Sequence, residues 1–163
     1  MFEAAAITTA DPREFHAELA RQAEGLLAGE RDWIANAANL SALIFNSLPD
    51  LNWAGFYFLK GDTLVLGPFQ GKPACVRIAM GRGVCGAAAQ QRRTLRVDDV
   101  NAFPDHIACD SASRSELVVP LIAGGKVLGV LDLDSPEPSR FGADDQAGIE
   151  ALAAIFLKAS DAS

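Results

Sequence analysis

No run in these 163 residues approaches the roughly 18 consecutive apolar residues that a membrane span needs, although half of the chain is apolar. The first residues are small and acidic, with no basic-then-apolar leader, so a cytoplasmic protein is expected and not a secreted one. Clustered positive charge is missing too. The formal net charge is −7, and Arg92-Arg93 with Arg96 nearby is the closest approach to a basic patch. Neutralising nucleic-acid phosphates needs clustered Lys and Arg, so no nucleic-acid partner is expected. A small solute carrying a cationic group suits the acidic balance better than a polyanion. Cysteine is scarce and odd in number: Cys75, Cys85 and Cys109. That excludes a secreted disulfide framework. No two of them stand as close as a C-x-x-C knuckle, so a zinc site from Cys75, Cys85, Cys109 and His106 is not expected. Internal repeats, linkers and low-complexity segments are also lacking.

What is there fits one domain with a proper core. Residues 1–12 are expected to be a flexible segment, 13–159 a single domain and 160–163 a tail. Phe15, Leu19, Ala23, Leu26 and Leu27 recur at helical steps. A second helical stretch puts Ile34, Ala37, Ala38, Leu40, Ile44 and Leu48 on its apolar side and stops at Pro49-Asp50. The period then changes. Trp53 to Leu59 and Thr63 to Leu66 read as strands joined across Gly61-Asp62, with Pro68-Phe69-Gln70-Gly71 as a turn. Ala74 to Ala79 reads as a strand, Val84 to Gln91 as a short Ala-rich helix, and Thr94 to Val97 as another strand. A long irregular loop from Asn101 to Ser115 carries Cys109, and loops of that length in compact domains usually have a job. Leu117 to Ile122 and Lys126 to Asp134 form a hairpin across Gly124-Gly125, and Ala143 to Lys158 is an amphipathic helix. The fold class expected is α+β, with one largely antiparallel sheet and the terminal helices packed on it.

Cysteines among small residues in a chain of this kind point to redox or nucleophilic work. Cys109 is the candidate nucleophile: it lies in the loop, near His106, whose imidazolium could stabilise a thiolate, while Asp105 and Asp110 act against one. Cys75, at a strand edge, is a candidate resolving thiol. Cys85 reads as a small buried hydrophobe. Asp132 and Asp134 are two apart at a strand end and share a face with Leu128 and Val130. A carboxylate pair at a pocket rim has at least one raised pKa and can hold a proton near neutrality. Alternatively, the strand simply ends there in a solvated turn. A plain hairpin would set Glu116 opposite Leu133, on the other face. A bulge or irregular start, made plausible by Pro120, would bring it to the Asp pair. Trp53 and Tyr57 share a face with Gly55 between them, which leaves a concavity between two aromatic walls or simply two core aromatics.

Trp53-Ala54-Gly55-Phe56-Tyr57, Leu66-Gly67-Pro68-Phe69-Gln70-Gly71, Gly83-Val84-Cys85-Gly86, His106-Ile107-Ala108-Cys109-Asp110, Ser115-Glu116-Leu117-Val118-Val119-Pro120 and Leu131-Asp132-Leu133-Asp134-Ser135 together resemble the free methionine-(R)-sulfoxide reductases, single-domain enzymes of the GAF fold. The likeness runs in order from the first helix to the last. It implies a reductase of free L-methionine-(R)-sulfoxide in which Cys109 attacks the sulfoxide sulfur. Cys75 then forms a disulfide with Cys109, which thioredoxin reduces, and no cofactor is needed. Cys85 matches an auxiliary thiol. Trp53 and Tyr57 match the pocket for the methyl end of the substrate, and Glu116, Asp132 and Asp134 match its acidic wall. A homodimer is a possible assembly. One departure is visible: Asp105 stands where the motif commonly has Gly before the His, which bears on the flexibility of the loop. The alternative from another class is a GAF domain that senses a small molecule without turnover.

Overall fold

Aspartates open the first two helices. Asp11 accepts the Arg13 N–H with Pro12 at the first helical position, starting α1 (Pro12–Leu27), and Asp32 accepts the Ala35 N–H, starting α2 (Trp33–Ser47). The computed structural model describes residues 2–106 and 110–162. After α2 come β1 (Trp53–Lys60), β2 (Thr63–Gly71), β3 (Arg77–Ala79), α3 (Gly83–Gln91), β4 (Leu95–Val97), a 3-10 turn at Val100–Ala102, β5 (Ser115–Ala123), β6 (Lys126–Ser135) and α4 (Ala143–Ala159). The strands form one sheet in the order β3-β2-β1-β6-β5-β4, and every neighbouring pair is antiparallel. The α+β class with an antiparallel sheet is as expected.

The two faces of the sheet carry different cores. On one, α1, α2 and α4 bury Leu19, Leu40, Ile44, Phe56, Leu131 and Phe156. On the other, α3 closes a smaller cluster that includes Trp53, Tyr57, Val84, Cys85, Val118 and Val130. Every residue of α3 from Gly83 to Ala89 is buried, and small side chains there let the helix lie close to the sheet. This places the N-terminal turn of α3 directly over β5 and β6. The segment ahead of α1 also makes contacts: the Gln22 side-chain amide donates to the Ala5 carbonyl, and Ile7 packs against the larger core. At the other end, buried His16 of α1 lies 2.9 Å from Asp145 of α4, and Arg140 holds the second carboxylate oxygen at 3.2 Å. Burial works to raise the Asp145 pKa, but the His16 and Gly142 hydrogen bonds and the Arg140 charge outweigh it and leave the group below its ordinary value.

Four local readings are corrected. Ile34, assigned to the apolar side of the second helix, is 55 % exposed, and Ala38 is exposed as well. Pro68 to Gly71 is not a turn but the second half of β2. The β1–β2 register slips between Gly55 and Tyr57, and that bulge accommodates Pro68, which has no ladder donor. The concavity expected at Gly55 is filled: a Cβ there would sit 2.3 Å from Cβ of Phe69, so glycine allows β2 to close in. The strand expected over Ala74–Ala79 is only Arg77–Ala79, leaving Cys75 in the loop before it.

Candidate active site

The hairpin register decides which face Glu116 takes. Ala123 pairs with Lys126 and Ile122 with Val127, as counting from Gly124-Gly125 requires, but Leu121 pairs with Gly129. Leu128 is the extra residue. Beyond that bulge the register is offset by one, and Glu116 lies opposite Asp134, not Leu133. The irregularity sits at the turn end of the hairpin rather than at Pro120. It also corrects Leu128, which packs against the larger core while Val130 and Asp132 face α3. Glu116, Asp132 and Asp134 are thereby gathered under the N-terminal turn of α3, beside Cys85.

These groups line a cleft of about 560 Å³, counted out through its mouth, together with Trp53, Tyr57, Lys72, Arg82, His106 and Asp110. Glu116 is 7 % exposed and Asp132 4 %, while Asp134 is half-buried. Burial pushes all three carboxyl groups above their ordinary range. Neighbouring carboxylates push Glu116 and Asp134 further, whereas hydrogen bonding with Glu116, Cys85 and Asp134 offsets part of the rise at Asp132. Oδ1 of Asp132 is buried with no hydrogen-bond partner among the described residues. A buried acceptor left open in this way is suited to a donor brought by a ligand. The alternative of a solvated strand end is not what the burial shows.

The aromatic wall does two jobs. Trp53 stacks on Tyr57 at 5.9 Å between ring centroids and on Phe69 at 5.1 Å. Its indole N–H donates to the Lys72 carbonyl at 3.2 Å, and the Tyr57 hydroxyl donates to the Cys75 carbonyl at 2.8 Å. The polar tips thus tie the segment carrying Cys75 to the apolar floor of the cleft. Burial, followed by the nearby Asp132, raises the Tyr57 pKa and keeps its hydroxyl a donor.

Cys75 is disulfide-bonded, and Cys85 is a free, buried thiol whose Sγ lies 3.9 Å from Oε2 of Glu116. Burial, then the adjacent Asp132 and Glu116, pushes the Cys85 thiol up and makes it a poor nucleophile. Cys109, the candidate nucleophile, lies outside the described residues. Of its neighbours, His106 has its pKa lowered by burial, which favours the neutral ring near pH 7 over the imidazolium that a thiolate would welcome. Asp110 is held low by the Ala112 N–H, against a small opposing effect of burial, with help from Asn52 and Lys72. Asp105 has φ 58°, the left-handed region that glycine enters freely and Asp tolerates. The departure from the motif is therefore a change of residue in a conformation suited to glycine.

Three contributors were not foreseen. Asn52 donates its side-chain amide to Asp110 and to Ser113, both at 3.0 Å, bracing the far end of the loop against β1. Lys72 and Arg82 bring positive charge to an acidic cleft. Their signal was present in Gly71-Lys72-Pro73 and Gly81-Arg82-Gly83, where a lone cation stands between turn residues.

The domain model described as "GAF domain" matches residues 11–158. The chain is 53 % identical to the free methionine-R-sulfoxide reductase of Escherichia coli over 89 % of this chain and 88 % of that protein. It is 46 % identical to the enzyme of the same name from Saccharomyces cerevisiae, over 83 % and 79 %. The structure of free methionine-R-sulfoxide reductase from Neisseria meningitidis in complex with its substrate superposes with a TM-score of 0.93 at 43 % identity, covering 98 % of this chain and 95 % of that one. A bulged hairpin that gathers three carboxyl groups beneath a small-residue helix therefore sits in a known setting: the chain belongs to the free methionine-(R)-sulfoxide reductases, a family built on the GAF domain.

Proposed function

We propose that this chain reduces free L-methionine-(R)-sulfoxide to L-methionine, with Cys109 as nucleophile and Cys75 as resolving thiol. The observation that carries the reading is the wall of buried Glu116 and Asp132 with half-buried Asp134, in which Oδ1 of Asp132 has no partner among the described residues, facing a stacked Trp53–Tyr57 floor. Sulfoxide reduction needs a thiolate to attack sulfur and an acid to protonate the departing oxygen. Thiolate, sulfoxide and one proton become methionine and a cysteine sulfenic acid on Cys109. The Cys75 thiol then displaces hydroxide from that sulfur, and the hydroxide takes up the thiol proton to leave as water, with the disulfide behind. The disulfide found at Cys75 supports its part in this cycle. An external dithiol restores both thiols. Thioredoxin in that role is carried by the family resemblance, as is the auxiliary role for Cys85, while a cytoplasmic location is carried by the odd, unpatterned cysteine count.

Glu116 and Asp134, raised furthest from the carboxylate range, are the groups suited to hold the proton that the sulfoxide oxygen receives. Asp132, with its open oxygen, pairs the ammonium of the amino acid, and Lys72 and Arg82 attract its carboxylate. The methyl end rests on Trp53 and Tyr57. The preference for the R epimer is carried by the resemblance.

This arrangement predicts selectivity for the free amino acid. N-acetylation removes the positive charge and leaves Asp132 facing an amide, so kcat/KM for N-acetylmethionine sulfoxide is expected to fall by roughly 10²-fold or more. The check is NADPH consumption in the presence of thioredoxin and its reductase, comparing free methionine-R-sulfoxide, its S epimer and the acetylated form. Equal rates on free and acetylated substrate would remove the ammonium-pairing pocket.

A further inference from the structure

Cys85, Glu116 and Asp132 place one ligand atom each within 4.8 Å of one another, and all three side chains are buried. They come from three different elements, α3, β5 and β6, so their convergence belongs to the fold and not to a local turn. Sγ of Cys85 and Oε2 of Glu116 are already 3.9 Å apart, a separation close to that of two ligands on one tetrahedral ion with metal–sulfur and metal–oxygen bonds of about 2.3 and 2.0–2.2 Å. Oδ1 of Asp132, a residue 4 % exposed, has no partner among the described residues. Cys85 is the third residue of α3, where the first-turn N–H groups favour negative charge on sulfur. All three residues line the same cleft, so an ion held by them would keep its fourth position open to it.

We propose that Cys85, Glu116 and Asp132 form an inhibitory site for a thiophilic divalent cation, with Zn²⁺ as the natural probe. This set is distinct from the one made of Cys75, Cys85, Cys109 and His106 that the sequence spacing disfavours. One sulfur and two carboxylate oxygens suit zinc and cadmium, whereas magnesium and calcium select all-oxygen shells. On binding, the Cys85 thiol and any carboxyl group of Glu116 or Asp132 that still holds a proton give those protons to solvent, and the dication is met by one thiolate and two carboxylates. The ion occupies the oxygen that an incoming ammonium would use, so zinc and substrate exclude one another.

The test uses the untagged full chain with the Cys75 disulfide intact, freed of metal by chelator and titrated with Zn²⁺, Mg²⁺ and Co²⁺. The expected result is one equivalent of zinc per chain, no comparable magnesium uptake, and a sulfur-to-cobalt charge-transfer band in the near ultraviolet. Cys85→Ala should abolish the band, and Cys85→Ala and Glu116→Gln should each weaken zinc binding by about tenfold or more. Near-ultraviolet circular dichroism reports whether either variant is misfolded, and the intact one then decides. Zinc affinity unchanged in both variants, magnesium bound as readily as zinc, or cobalt bound without the band would each overturn the site. Because these are binding readouts, the outcome is independent of whether the chain reduces methionine sulfoxide.

Discussion

Cys109→Ser is expected to leave a folded protein with no measurable turnover, a loss of at least about 10³-fold, as when other nucleophiles are removed from their sites. The serine hydroxyl is too weak a nucleophile toward sulfoxide sulfur and cannot form the sulfenic acid on which the cycle depends. The surroundings do not compensate. His106 is biased toward the neutral ring and Asp110 is held toward its ionised form, so neither of these sequence neighbours supplies an imidazolium or other cation to activate a hydroxyl. The coupled NADPH assay gives the rate. Mass spectrometry of the wild-type chain, first reduced and then exposed to substrate without reductant, should show the loss of two hydrogens, and peptide mapping should place the new bond between Cys75 and Cys109. Appreciable turnover in Cys109→Ser would end the assignment. A bridge between Cys85 and Cys109 would transfer the resolving role to Cys85.

The second large effect is expected at the acidic wall. Glu116→Gln and Asp134→Asn keep the shape of the side chains but remove a transferable proton, so kcat should fall by about 10²–10⁴-fold with a smaller change in KM. Asp132→Asn should mainly raise KM, because it faces the ammonium and not the sulfoxide oxygen. If Glu116 and Asp134 instead raise KM with kcat unchanged, the two roles are reversed. The same pair of substitutions carries a stability signature. A carboxyl group whose folded pKa is raised binds more protons in the native state than in the unfolded one. The ionised form is therefore destabilising, and stability declines as pH rises from about 4 through the folded value. Glu116→Gln and Asp134→Asn should accordingly raise the melting temperature at neutral pH and have little effect near pH 4.

Much of this was visible before any coordinates. The helices carry strong 3.6-residue patterns, and the hairpin turns are marked by glycine. The site residues fall in six short motifs whose chemistry could be argued from residue type. Two of the misses share one physical cause: a bulge is a local exception to a two-residue period. Nothing in Lys126-Val127-Leu128-Gly129 announces that Leu128 is unpaired, so counting from the turn puts Glu116 on the wrong face. The same limit misplaced Pro68 to Gly71, because a proline with glycine nearby reads as a turn until a bulge is known to hold it in a strand. Ile34 escaped differently. The buried face of α2 is set by Trp33, Ala37, Leu40 and Ile44, and Ile34 lies off that face with exposed Ala38 one turn on, so only its apolar type points it inward.

The carboxyl trio of Glu116, Asp132 and Asp134 also makes ligand binding a proton-exchange reaction. Burial and the neighbouring carboxylates favour the protonated forms of these groups in the resting cleft, and an ammonium entering beside Asp132 shifts them toward ionisation, so ligand binding is expected to release protons. The heat of binding methionine, measured in buffers with different ionisation enthalpies, should vary linearly with those enthalpies, and the slope counts the protons released. The sign follows directly: affinity for a cationic ligand climbs with pH, by up to about tenfold per pH unit for each proton expelled, until the trio is fully ionised. A cleft assembled by one unpaired residue in a hairpin thus couples the occupancy of the site to the acidity of the solution around it.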